Sequence, residues 1–119
     1  MCLFRFEDLE IWRRAIAIGG ELCVLADKLD EQKKWKFAEQ LRGAALSISN
    51  NIAEGSGSAS DRDFANFLNI AKRSAFENAN MMFFFSINQH LAESETMPLA
   101  VKLSELCRMI EAFRQRLLI

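Results

Sequence analysis

Apolar residues recur along this chain at intervals of three and four, the period of an α-helix, and nowhere alternate as they would in a half-buried strand. Four segments carry the pattern. The first has Asp8 as its N-cap and runs to about Leu29, with a core stripe of Ile11, Ala15, Ile18, Leu22, Leu25 and Leu29. Asp30–Lys34 is a charged break. The second segment runs from about Trp35 to Glu54 on Phe37, Leu41, Ala45, Ile48 and Ile52, with Gly55 as the C′ stop. Residues 55–60, rich in Gly and Ser, form a loop. Ser60 or Asp61 caps the third segment, which extends to about Leu91 on Phe64, Leu68, Ala71, Ala75, Met82 and Phe85. After a break at Ala92–Met97, Pro98 fits the first turn of a fourth helix carrying Leu99, Leu103, Leu106, Ile110, Phe113 and Leu117. Short breaks force neighbouring helices to run antiparallel, so the expected fold is all-α, an up-down-up-down four-helix bundle over residues 1–119.

Two of these helices are greasier than a lone bundle requires. A second stripe on the first helix, Leu9, Trp12, Ile16, Gly19, Cys23 and Ala26, widens its apolar arc to roughly 200°, about twice what one packing face needs. Met81–Phe85 likewise covers most of the third helix's circumference. The excess predicts a further packing partner, a second copy of the chain. Gly19 and Gly20 lie mid-helix at a cost of about 1 kcal/mol each, which a close backbone approach or a bend would justify.

Polar residues interrupt the stripes in one region. Gln40, Ser47, Asn51 and Glu54 share a face of the second helix, and Ser74, Glu77 and Asn78 break the rows of the third. An antiparallel hairpin about the 55–60 loop places Gln40 near Ser74 and Glu77, and Arg42 near Arg73, one turn from Glu77. The same exercise about the 30–34 break brings Trp12 to Ala53, within reach of Glu54. Such residues can supply each other's hydrogen bonds as a layer that fixes register; the sharper alternative is a pocket for a ligand, peptide or phosphate.

Composition narrows the function more than it names one. Hydrophobic residues make up 50% of 119, enough for a packed core. Lys and Arg number 15 against 16 Asp and Glu, for a net charge of -1, unlike a strongly basic nucleic-acid module. The basic clusters, Arg13-Arg14 and Lys33, Lys34 and Lys36, form no long stripe. Three cysteines, Cys2, Cys23 and Cys107, are odd in number and unpaired in spacing, as expected of free thiols in a reducing compartment. No signal peptide opens the chain and Met81–Ile87 is too short to span a bilayer, so a cytoplasmic, membrane-free protein is expected. His90 is the sole histidine, expected exposed near a helix end, and residue 87 is Ile. The Glu-x-x-His pairs of a di-metal bundle are therefore missing, and Ser-His or Cys-His catalysis has no orienting acid. Gly55-Ser56-Gly57 lacks the Lys of a phosphate-binding loop. The expectation is a non-enzyme without cofactor or metal; a carboxylate pocket around Asn51, Glu54 and Glu77 is the enzymatic alternative.

The opening Phe6-Glu7-Asp8-Leu9-Glu10-Ile11-Trp12, the block from Gln40 through Arg42, Ser47, Asn51 and Glu54 to Gly55 and Gly57, and Phe64, Phe67, Leu68 and Ala71 together resemble the four-helix bundle family also called the 23S rRNA intervening-sequence protein family. The resemblance covers nearly the whole chain. It implies a bacterial protein, a bundle that assembles into a ring-shaped homopentamer, and a role in protein–protein interaction. Relatives in retroelements act as accessory barrels that bind a reverse transcriptase and nucleic acid, which makes an RNA accessory role, through Arg13, Arg14, Lys33, Lys34 and Lys36, the alternative. Two departures weigh against that alternative: Ser58-Ala59-Ser60-Asp61 stands where the family often has basic residues, and Ser74-Ala75-Phe76-Glu77-Asn78 keeps only the Ser and Glu of its counterpart.

Overall fold

A computed structural model describes residues 2–119. A short 3-10 turn, Arg5–Asp8, precedes four helices: α1 Glu10–Glu31, α2 Trp35–Ser56, α3 Asp61–Ile87 and α4 Glu93–Leu117. The described residues contain no strand. Each helix packs on its neighbours in sequence, and α1 also packs on α4, giving a bundle 44 Å long and 26 by 22 Å across. Its core is built from the expected stripes: Ile18, Leu22 and Leu29 of α1, Leu41, Ile48 and Ile52 of α2, Phe64, Leu68 and Met82 of α3, and Leu103, Leu106 and Ile110 of α4 are all buried. Each contributes about 1.5–3 kcal/mol by leaving water.

The helix ends differ from the sequence reading in instructive ways. Asp8 closes the 3-10 turn instead of capping α1, whose N-cap is Leu9. Glu7 does the local capping, its carboxylate accepting from the N–H groups of Leu3 and Phe4 at 2.7 and 2.8 Å. α1 runs two residues beyond Leu29 to Glu31, and past its C-cap Gln32 the chain turns at Lys33, a non-glycine residue at φ 62°, with the Lys34 N–H reaching back to the Leu29 carbonyl at 2.9 Å. α3 stops at Ile87, not Leu91. Gln89 turns through φ 63°, the His90 N–H closes on the Phe85 carbonyl at 2.8 Å, and Leu91 folds back into the core from outside the helix. α4 begins at Glu93, five residues before Pro98. Glu93 and Glu95 in its first turn suit the helix dipole, and Pro98 costs only the hydrogen bond to the solvent-exposed end of the helix. Ser60 caps α3, accepting from the Asp63 N–H at 3.1 Å.

Gly55 is not a C′ stop; α2 continues through it to Ser56. A Cβ at Gly55 would lie 2.6 Å from the Phe67 Cβ and 2.9 Å from the Phe64 ring. The missing side chain lets α3 lie directly on the end of α2, and that contact sets the register of the pair. Phe37 meets Phe84 with ring centroids 5.7 Å apart, and Ser47 meets Ser74. Gln40 is thereby level with the neighbourhood of Met81, more than a turn away from the Ser74 and Glu77 expected opposite it.

Candidate functional site

Along the α2–α3 seam, Ser47, Asn51 and Ser74 hydrogen-bond one another. The Ser47 and Ser74 hydroxyls share a hydrogen bond at 2.9 Å. The Asn51 amide donates to the Ser47 carbonyl at 2.8 Å and to its hydroxyl at 3.1 Å. Asn78, on the core face of α3 and fully buried, donates to the Ser74 carbonyl at 3.1 Å, while its Oδ1 has no partner. Gln40, Glu54 and Glu77 point into solvent. The carboxylates do not converge, so the pocket imagined around Asn51, Glu54 and Glu77 is not formed.

Arg42 belongs to a different seam. Its guanidinium bonds Asp27 at 2.5 Å and Asp30 at 2.6 Å, tying α2 to α1 instead of facing Arg73. The hydrogen bonds to Asp30 and then Asp27 raise its pKa further above the ordinary arginine value. The α1–α4 seam is also laced by charge. Lys28 pairs with Glu95, Lys102 with Glu21 at 2.9 Å, and Arg14 with Glu105 at 4.0 Å. On α3 and α4, Lys72 donates to Glu111 at 2.7 Å; that bond, with one from Gln115, holds the Glu111 carboxyl at about 2, below its usual 4.5.

The two basic clusters do not meet. Arg13 bonds the Glu7 carbonyl at 3.0 Å and lies near Asp8 and Glu10, and Arg14 pairs with Glu10 at 3.1 Å. Lys33, Lys34 and Lys36 lie at the far end of α1, roughly 30 Å away at 1.5 Å per residue. There they surround the N-terminus of α2, where the dipole disfavours cations and no acidic residue stands in the first turn. His90 is half-buried, not exposed: Phe37, Phe84 and Phe85 pack around its ring and Lys34 Nζ approaches its Nδ1.

Two grooves on the surface are lined mainly by apolar residues. Between α3 and α4 runs a groove of about 530 Å³ lined by Phe76, Ala79, Phe83, Met97, Ala100, Val101, Leu103 and Cys107, ending at Ser104 and Arg108. Burial pushes the Cys107 thiol pKa up, which keeps it an apolar lining residue. Between α1 and α2 lies a smaller groove of about 170 Å³, formed by Ala15, Ile16, Gly19, Gly20, Cys23, Ala45, Leu46 and Ser49. The second α1 stripe, expected to need a partner, lines it with Ile16, Gly19 and Cys23, and Trp12 packs on Phe6 with centroids 4.9 Å apart. Of the aromatic run, Phe85 is buried and Phe83 and Phe84 are exposed. Sequence reasoning named these residues as surplus but gave no grooves, because grooves depend on which helices become neighbours.

A family model described as 23S rRNA-intervening sequence protein matches residues 7–112. A crystal structure of a protein of unknown function from the S23 ribosomal protein family of Bacteroides thetaiotaomicron superposes with a TM-score of 0.83 at 21% identity, over 87% of this chain and 97% of that one. No curated protein shows a significant match. At that identity the structural neighbour speaks for the fold, while the family match spans most of the sequence and carries the assignment: the chain belongs to the 23S rRNA-intervening sequence protein family.

Proposed function

We propose that this chain is a non-enzymatic cytoplasmic scaffold, an up-down-up-down bundle that works in protein–protein interaction as a ring-shaped homo-oligomer of five copies. The observation that carries this reading is the pair of uncovered apolar grooves, one between α3 and α4 and one between α1 and α2. Contiguous exposed apolar patches of a few hundred Å² are often interaction sites. The count of five is taken from the family resemblance. No helix among the described residues is long and apolar enough to cross a membrane. Size-exclusion chromatography with light scattering tests the reading: a multiple of 13.6 kDa at micromolar concentration supports it, and 13.6 kDa itself refutes it.

A second reading, an accessory protein for structured RNA, is favoured by Lys33, Lys34 and Lys36 at the N-terminus of α2. Cations held where the helix dipole opposes them are better explained by an external anion than by the fold. Repetition around a ring would multiply a weak patch. RNA binding measured across a salt series tests it: affinity that falls steeply with salt supports the reading, and absent or salt-insensitive binding refutes it.

A further inference from the structure

We infer that the oligomer is built from one head-to-tail contact, in which Phe76 on the α3–α4 face of one copy seats in the Gly19–Gly20 groove of the α1–α2 face of the next. The inference rests on the oligomeric reading above and adds which surfaces meet. Because the helices pack in the cyclic order α1, α2, α3, α4, these two faces lie on opposite sides of the bundle. A contact between them is heterologous, so each copy offers one face to each of two neighbours.

The glycines are the first argument. A Cβ on Gly20 would meet nothing within 4 Å, and one on Gly19 would come no closer than 3.8 Å to the Ala45 carbonyl. The protomer itself has no use for glycine at these helical positions, in contrast to Gly55. A floor kept free of side chains is explained by a neighbour's backbone or ring approaching it.

Shape is the second. The α1–α2 groove holds about 170 Å³, and a cavity of about 150 Å³ is enough to take a benzene ring. The opposite face offers rings: Phe76 is 64% exposed and Phe83 49%. Pairing the α3–α4 face with itself would set ring against ring and leave the glycine floor empty. The Ser47–Ser74 bond puts Phe76 at about the height of Ala45 along the bundle, level with that floor. Contacts at equal height need no axial offset between neighbours; closure into a ring requires in addition that each copy be turned about the bundle axis relative to the last.

Area and charge agree. No Asp, Glu, Lys, Arg or His lines the α1–α2 groove, and Arg108 alone stands at the end of the other, matching interfaces whose centres are depleted of charge. Phe76, Phe83 and Val101 (58% exposed) on one face and Ile16 (48%), Val24 (57%) and Leu46 (59%) on the other hold on the order of 600 Å² of exposed apolar surface. Wholly covered, and at the usual apolar share of about 57%, that corresponds to a contact of about 1,000 Å², the lower bound for a specific interface.

Gly20→Glu and Phe76→Glu, each in the full chain, provide the test, with Val101→Glu repeating the second lesion on α4. All three positions are solvent-facing in the protomer, and unchanged helical circular dichroism checks that each variant is folded. With wild type oligomeric, each variant alone is expected at 13.6 kDa by light scattering. Mixing Gly20→Glu with Phe76→Glu restores one intact pair of faces and no more, so the mixture is expected to form a one-to-one pair of about 27 kDa, twice 13.6 kDa, and to stop there. A variant that keeps the wild-type mass, a Gly20→Glu chain that still dimerises, or a mixture that stays at 13.6 kDa overturns the face assignment while leaving the oligomeric reading intact. A monomeric wild type overturns both.

Discussion

Replacing Gly55 with Ala separates a glycine the fold requires from glycines it does not. The new methyl would lie 2.6 Å from the Phe67 Cβ and 2.9 Å from the Phe64 ring. Phe67 Cβ is fixed to the α3 backbone and cannot swing away, so the helices must part by roughly 1 Å to reach ordinary contact at about 3.5–4.0 Å. Overpacking of this kind costs about 1–3 kcal/mol, and two simultaneous clashes put Gly55→Ala at the upper end. Alanine returns about 1 kcal/mol of helix propensity. The net expectation is a loss of about 2 kcal/mol. Gly20→Ala meets nothing and should gain about 1 kcal/mol in the protomer, so the two variants are expected to differ by about 3 kcal/mol. Urea unfolding followed by circular dichroism at equal protein concentration, made in the Phe76→Glu background to remove the proposed subunit contact, reads the difference as a shift in midpoint at constant slope. A Gly55→Ala protein as stable as Gly20→Ala would refute the claim that α3 rests on that glycine.

Asn78→Leu removes a buried oxygen without a partner and keeps side-chain volume, so thermal unfolding is expected to show a gain of about 1–2 kcal/mol; a loss of that size would mean Oδ1 is satisfied by bound water. Lys33→Gly should stabilise by about 1 kcal/mol, because glycine adopts the left-handed turn at φ 62° without strain, and a lower melting temperature would contradict this. The depressed Glu111 pKa stabilises the fold above pH 4.5 and is lost as pH falls toward 2. Lys72→Met should therefore cost about 1 kcal/mol at neutral pH and flatten the acid loss over that window; this partly exposed pair would be idle if both proteins melted in parallel across it.

The legible part of the fold was the part fixed by periodicity. Leu22, Ile48, Leu68 and Leu106 announce their faces because a helix buries every third or fourth residue. The ends were less legible because single residues mislead. Pro98 looked like a start, yet the acidic first turn at Glu93 and Glu95 outweighs one lost hydrogen bond. Gly55 looked like a stop, yet it serves contact, a role that only the position of Phe67 reveals. Leu91 fitted the α3 stripe by spacing but reaches the core through a turn at Gln89. At the site, Ser47, Asn51 and Ser74 were readable as a layer because polar residues on a shared helical face need partners. Gln40, Glu54 and Glu77 were drawn into it by a register more than a turn off, and Arg42 was assigned to α3 when its carboxylates are on α1. Asp27 and Asp30 stand at the α1 C-terminal end in the sequence, and pairing them with Arg42, the one arginine of α2 and the next downstream of them, is the signal that finds this contact.

The central claim is that the exposed apolar faces of this bundle exist to be covered by further copies of the same chain. Native mass spectrometry of the unmodified protein counts those copies directly. The account predicts a dominant species near 68 kDa, five chains of 13.6 kDa, and a spectrum containing only the 13.6 kDa chain would contradict it.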